Sequence, residues 1–299
     1  MASFTIHTHG RLQEWVAEEN GYFAAEGLTD YALSSHGLIS PTHARAHAVP
    51  AIPDNRQGAY QSYQQGRDAS VSCACHWTVN KAASAEFGRL WGECYTVTPC
   101  AIFVPAGSAI GTPEDLADVA VHVGYQSGSH YTTIQALEPF LPADRIKLAF
   151  GGSPADRVDQ LLDGSATAAT VFGAQYYLME QLGFRKIADA TFMIAAMVPH
   201  QVDLADVARY FAALRRAQID IDIGHQPYTR YFANELPERH RNLVDVRRFG
   251  PGERLVFEPY SRAMYDRTQT WIDARDIFPG QQPLPNSYTD AVIRLQPAE

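Results

Sequence analysis

Cys73-Ala74-Cys75-His76-Trp77 brings two thiols and an imidazole into five consecutive positions. On a strand, Cys73 and Cys75 share a face, and His76 turns toward a cleft as the strand ends. A thiolate beside an imidazole is a nucleophile with its base, and the same atoms are soft metal ligands. Cys75 and Cys73 are therefore candidate nucleophiles. His76 is the candidate general acid or base, because an ordinary imidazole titrates near working pH. The competing reading is structural: two small buried hydrophobes and a hydrogen-bonded histidine.

His7-Thr8-His9 puts two further imidazoles on one strand face. With His76 or His130 they would meet in a cleft and hold a transition metal such as Fe or Zn. Hydrogen bonding to a ligand, or exposure, explains the pair equally well. Neither a Cys-x-x-Cys pair nor a His-Glu-x-x-His helix supports the metal. Gln126-Ser127-Gly128-Ser129-His130-Tyr131 offers a different chemistry. Ser129 would cap a helix whose first N–H groups, with the Ser127 hydroxyl, cradle a carboxylate, sulfonate or phosphate. His9, Gly10 and Arg11 face the same space, and Arg11 either pairs with that anion or is solvated. Trp15, Trp77, Tyr125, Tyr131, Phe172 and Tyr176 would supply a stacking wall or core.

These residues need strand ends to position them. Phe4–His9, Ala69–Cys75, Val119–Gly124 and Ala166–Phe172 read as strands. Open α/β sheets bind ligands beyond such ends, which gives four mouths: at 7–10, at 73–76, at 126–132 and at Phe172-Gly173. Helices are expected over Ala82–Trp91, Ser127–Pro139, Pro154–Leu162, Gln175–Leu182, Leu204–Ala217, Gln226–Asn234 and Pro259–Asp276. Pro113 opens a short helix with Asp115 behind it. Ser35–Asn55 is irregular and carries His36, His43 and His47. Tyr95–Val104 and Phe192–Val198 read as two crossings between lobes. The expected fold is α/β and two-lobed, with residues 1–100 plus 199–299 forming one discontinuous lobe and 101–198 the other.

With 299 residues the chain is long enough for two cores, and its formal net charge of −9 argues against nucleic acid or an anionic membrane as partner. No apolar run approaches a membrane span. Four cysteines are too few and too clustered for a secreted disulfide framework. MASFTIHTHG has neither a basic nor an apolar leader region, so the expected location is cytoplasmic, or periplasmic if a leader was removed. A homodimer stays open.

The order Glu19-Asn20-Gly21-Tyr22-Phe23…Glu26-Gly27-Leu28, Gly66-Arg67-Asp68, Thr112-Pro113-Glu114-Asp115-Leu116 and Val123-Gly124 resembles the type 2 periplasmic-binding-protein fold. Its nitrate/sulfonate/taurine-binding proteins and the fungal thiamin pyrimidine synthases are similar to this chain. The Tyr260–Asp276 helix, with Trp271 and the later Tyr288, extends that likeness. The resemblance implies a hinge of crossing strands and a small anionic organic ligand bound between the lobes. It also implies a functional histidine at His76, eight residues after Asp68. The synthases' cofactor lysine falls on Ser72, which forms no Schiff base, and their cysteine cluster has no counterpart, which argues against pyridoxal phosphate. The expected function is a cytosolic lyase or hydrolase, of decarboxylase or desulfinase type, acting on a small acidic, aromatic or heteroaromatic compound. The alternative is the substrate-binding protein of an ABC transporter for a small organic anion.

Overall fold

The computed structural model describes residues 4–34, 60, 63, 69–275, 277 and 287–295. The 35–55 stretch with its three histidines and the Gly66-Arg67-Asp68 motif lie outside them. In chain order the main elements are β1 (Phe4–His7), α1 (Gln13–Glu19), α2 (Tyr22–Ala25), β2 (Tyr31–Ser34), β3 (Ser72–Cys75), α3 (His76–Ser84), β4 (Arg89–Trp91), β5 (Tyr95–Thr98) and β6 (Cys100–Val104). There follow β7 (Ala120–Val123), α4 (Gly128–Leu137), β8 (Lys147–Phe150), α5 (Pro154–Leu162), β9 (Ala168–Phe172), α6 (Ala174–Gln181), β10 (Arg185–Asp189) and β11 (Phe192–Val198). The chain ends with α7 (Leu204–Ile223), β12 (Arg254–Val256), α8 (Arg262–Asp273) and β13 (Val292–Ile293).

Two sheets organise two lobes. One has the order β10-β6-β9-β7-β8; the other runs β12-β5-β11-β4-β13, with β3 also paired to β11. β1 and β2 pair in parallel, and an Ile6–Val71 bridge ties them to the approach of β3. All five residues of β6, Cys-Ala-Ile-Phe-Val, are buried, as a central strand covered on both faces requires. Local signals set several helix starts. Ser153 caps α5 in a reciprocal box with Asp156, and Pro154 occupies the first turn. Asp203 accepts the Ala205 N–H to start α7. The Pro113–Leu116 turn forms as its sequence predicts, the Asp115 carboxylate accepting the Gly111 and Thr112 N–H groups.

The lobes are joined where β5 passes through Pro99 into β6, and where β10 passes through Ala190 and Thr191 into β11. These crossings lie side by side: Thr98 is opposite Phe192, and the Ala190 N–H donates to the Cys100 carbonyl at 2.9 Å. Between α7 and β12 the chain makes a further excursion to the five-stranded lobe. There Phe232 and Phe249 pack on Tyr177 of α6, with ring centroids 6.2 and 5.5 Å apart. The Tyr177 hydroxyl accepts the Gly252 N–H at 3.0 Å.

One expected element is wrong in place. The helix read over Ala82–Trp91 begins earlier, at His76, and Arg89–Trp91 is a strand. β4 owes its existence to tertiary pairing with β11 and β13, which short-range pattern does not report. β8, β10, β12 and β13 are likewise short strands that the sequence pattern passes over. Between β4 and β13, Gly92 leaves no space for a side chain: an added Cβ would lie 2.5 Å from Val292 Cγ1 and 2.7 Å from the Ile293 carbonyl oxygen. Gly92→Ala is expected to push β13 off the sheet edge and cost about 1–3 kcal/mol, read as a lower urea midpoint. An unchanged midpoint would show that β13 contributes nothing to stability.

Candidate functional site

His76 opens α3 directly after β3, so its ring turns inward and is only 6 % exposed. Its Nδ1 lies 3.0 Å from the Met193 carbonyl oxygen. A carbonyl only accepts, so Nδ1 carries the proton and Nε2 is left as an acceptor. Burial pulls the imidazole down to about 4, against the weaker opposing effect of that hydrogen bond. This corrects the expectation of titration near neutral pH: Nε2 takes up the second proton only in acid. Cys75, which precedes α3 as its N-cap, is buried, and its Sγ lies 3.0 Å from Thr78 Oγ1. The Thr78 hydroxyl donates to the Gln126 carbonyl at 3.1 Å, so the thiol is the donor in the Cys75–Thr78 bond. Such a proton-donating, buried thiol is no ready nucleophile. Cys73 differs, being partly exposed with Arg11 Nη2 donating to its sulfur at 3.8 Å.

The expected metal ligands do not meet. His7 Nδ1 bonds the Ser34 hydroxyl, His9 Nδ1 faces Glu253 Oε1 at 3.0 Å, and His76 turns to Met193. His130 Nδ1 accepts the Gln126 N–H at 3.0 Å, and burial lowers that imidazole to about 4. Among the described residues, no three His, Cys, Asp or Glu side chains are grouped to hold a metal ion.

Ser127, not Ser129, occupies the N-cap of α4. Its hydroxyl donates to the Gly124 carbonyl, while Ser129 Oγ accepts the Gly124 N–H at 2.9 Å and lies 3.1 Å from Ser127 Oγ. Both hydroxyls are thus closed into the turn. Gly128 sits under the Phe192 ring, 2.4 Å from where its Cβ would be, so an aromatic plate covers this corner of the helix start. Trp77 and Tyr131 stack at 5.4 Å, with Phe192 and Trp271 beside Trp77 at 6.1 and 5.6 Å. These rings form an interlobe seam, where the expected ligand wall would have been. Gln126 contributes to it through Nε2, which donates to the Ile277 carbonyl.

Behind the same turn lies the side chain that sequence reading missed. Arg157, from the first turns of α5, is 1 % exposed. Its Nε donates to the Thr170 carbonyl at 2.8 Å and Nη1 to the Gly152 carbonyl at 2.7 Å, whereas Nη2 has no hydrogen-bond partner among the described residues. No carboxylate among the described residues forms an ion pair with it; Asp156 acts on it only through space. Burial pulls it down to about 10, which still leaves it cationic at neutral pH. Cζ lies 5.8 Å from the centre of Phe172, beside the expected fourth mouth at Phe172 and Gly173. Two glycines admit the guanidinium: a Cβ on Gly151 would lie 2.7 Å from Arg157 Cγ, and one on Gly124 would lie 3.2 Å from Nη1. The signal was present in the sequence. Gly151-Gly152-Ser153-Pro154 ends a strand and caps a helix, and Arg157 falls on that helix's apolar face with Val158 and Leu161.

The first mouth has the opposite character. Arg11 is 1 % exposed and grips Glu14, with Nη2 donating to Oε1 at 2.6 Å and Nη1 donating to Thr96 Oγ1 at 3.0 Å. Arg11 is thus neutralised from within, and neither solvated nor held for a ligand. Around it stand two further buried acids. Glu253 faces His9, with its Oε2 3.8 Å from Arg11 Nη1. Glu235 Oε1 accepts from Thr8 Oγ1 at 3.0 Å and Trp15 Nε1 at 2.9 Å. Burial raises the Glu235 carboxyl despite those two donors. Gly10, with φ of +74°, holds the turn in the left-handed region, and a Cβ on it would lie 4.0 Å from Glu235 Oε2.

The chain is similar in structure to alkanesulfonate-binding protein SsuA from Xanthomonas axonopodis pv. citri bound to MOPS, with 16 % identity, 98 % and 99 % of the two chains covered and a TM-score of 0.70. The periplasmic aliphatic sulphonate binding protein SsuA from Escherichia coli matches at 15 % identity over 92 % and 91 %, with a TM-score of 0.62. The desulfurization enzyme DSZB matches at 15 % identity over 95 % of both chains, with a TM-score of 0.55. No family model and no curated protein sequence matches. The chain has the two-lobed type 2 periplasmic-binding-protein fold.

The buried imidazoles give a pH dependence. Both are lowered from 6.5 to about 4, so the unfolded chain takes up protons first as pH falls. Stability is expected to be complete above about pH 6.5 and to decline through the window down to about pH 4, with His76 alone contributing about 3 kcal/mol of that loss. His76→Gln should flatten the decline in urea midpoint between pH 7 and 4.5. A His76→Gln profile parallel to that of the unmodified chain would overturn the assignment.

Proposed function

We propose that this chain captures a small organic anion between its two lobes, as a transport-type receptor does. The observation that carries the reading is Arg157, a buried guanidinium that among the described residues has one nitrogen unbonded and no ion-paired carboxylate. Burying an uncompensated charge is costly, so a cation held this way is stabilised by an anionic ligand. Its place beyond the ends of β7, β8 and β9, beside the start of α4, is where such sheets bind ligands and where helix N–H groups add positive potential. The acids at the first mouth favour a ligand whose far end is neutral or amine-bearing over a dianion. Two solved structures of this fold carry sulfonate binding in their names, so a sulfonate is the first class to test.

A second reading, a lyase or hydrolase of desulfinase type, is favoured by Cys73, a partly exposed cysteine with Arg11 Nη2 3.8 Å from its sulfur. The histidine expected to serve it is a poor base at neutral pH. Sulfite release from an aromatic sulfinate, lost in Cys73→Ser, would establish this reading.

For the receptor reading, methanesulfonate, 2-aminoethanesulfonate, sulfate and acetate are to be titrated calorimetrically. At least one monoanion is expected to bind without turnover. Arg157→Gln should weaken it by about thirtyfold or more, and Arg157→Lys, which keeps the charge, by less. Binding that survives Arg157→Gln unchanged would sink the proposal.

A further inference from the structure

We propose that the anion taken at Arg157 carries a planar ring, and that Tyr125 and Phe172 are the residues that select it. The inference rests on the receptor reading for the anion and adds the shape of the rest of the ligand. It starts from three neighbouring strands of the five-stranded sheet. β9, β7 and β8 lie in that order and run parallel, so their C-terminal ends open on one rim. Phe172 ends β9, Phe150 ends β8, and Tyr125 is the second residue past the end of β7.

Arg157 spans that rim from behind. Its Nε reaches the Thr170 carbonyl of β9 and its Nη1 the Gly152 carbonyl just past β8. Past β7, a Cβ on Gly124 would lie 3.2 Å from the same Nη1. The cation is therefore central and the rings flank it. On one side, Phe172 has Arg157 Cζ 5.8 Å from its ring centre and meets Phe192 edge-on at 5.5 Å. On the other, Tyr125 leans on Phe150 at 5.3 Å and on His130 at 5.6 Å.

Tyr125 is the informative ring, because it is 39 % exposed although two aromatic neighbours back it. A lone exposed aromatic needs no explanation. This one is held by two tilted rings, on a rim whose buried guanidinium has a nitrogen unbonded among the described residues. It presents a fixed flat face beside a charge. His130 adds no competing cation there, since burial keeps its imidazole neutral at pH 7. A small inorganic anion would use Arg157 and leave the rings idle. A flexible alkyl chain would touch them but lose torsional freedom in doing so. An aryl anion arrives rigid, turns its oxygens to Arg157 and meets Tyr125 and Phe172 in the offset or edge-to-face geometries that rings prefer.

The test titrates methanesulfonate, cyclohexanesulfonate and benzenesulfonate calorimetrically into the full chain. Benzenesulfonate is expected to bind about tenfold tighter than methanesulfonate. It should also bind about threefold tighter than cyclohexanesulfonate, which matches its bulk without its plane. Tyr125→Ala should remove most of the advantage over cyclohexanesulfonate, Phe172→Leu should reduce it, and Tyr125→Phe should keep it. Equal affinities for the two cyclic sulfonates, or a ratio untouched by Tyr125→Ala, would overturn ring selection and leave the receptor reading standing. So would binding of acetate or 2-aminoethanesulfonate with none of the three. Benzenesulfonate binding that survives Arg157→Gln unchanged would put the ring elsewhere and sink both readings, as would a chain that binds no anion at all.

Discussion

Side-by-side crossing of two strands is the constraint from which the site follows. Because Ala190 donates to Cys100 and Thr98 lies opposite Phe192, the sheets of the two lobes approach each other at one narrow waist. Phe192 stands at that waist and touches both sides: it lies on Gly128 at the start of α4, meets Phe172 edge-on at 5.5 Å and approaches Trp77. The ends of β3, β7 and β9 therefore meet at the same place, although about a hundred residues separate the first from the last. A strand waist transmits rotation without stretching, since its hydrogen bonds run across the crossing and not along it.

The two sides of the cleft carry charge of opposite sign, and burial makes that difference matter. Among the described residues Arg157 has no ion-paired carboxylate, while at the first mouth Glu14 already answers Arg11, with Glu235 and Glu253 beside it. In salt water such imbalances are screened beyond about 10 Å; in a buried, low-dielectric site they are screened much less. The same dryness silences His76 and His130 as bases and raises the Cys94 and Cys100 thiols. Cys73 differs from them in being partly exposed, with Arg11 donating to its sulfur.

The excursion after α7 gives the fold a third connection. Its contacts with the six-stranded lobe are buried carboxylate hydrogen bonds, and those with the five-stranded lobe mix rings with a half-exposed ion pair. An apolar cluster runs through Phe232, Leu236 and Phe249 together with Val158 and Leu178, so the excursion packs as core and not as a surface loop.

Local pattern was legible wherever a local interaction decides the structure. The Thr112–Asp115 turn, the Pro154 helix start and the buried run of β6 were all readable, because caps, prolines and continuous apolar residues act within a few positions. The sequence alone also determined the two-lobed α/β plan and the two crossings. It misplaced α3 and passed over β4, whose strand state depends on β11 and β13. For the site, it put Ser127, Gly128, Phe172 and His76 near one waist but could not tell a ligand wall from a packed seam. Only the tertiary structure decided that Arg11 is spent on Glu14, that Trp77 and Tyr131 bury each other, and that Arg157 is left over. The physical reason is that whether a charge is free depends on every neighbour within a few ångströms, and those neighbours come from distant parts of the chain.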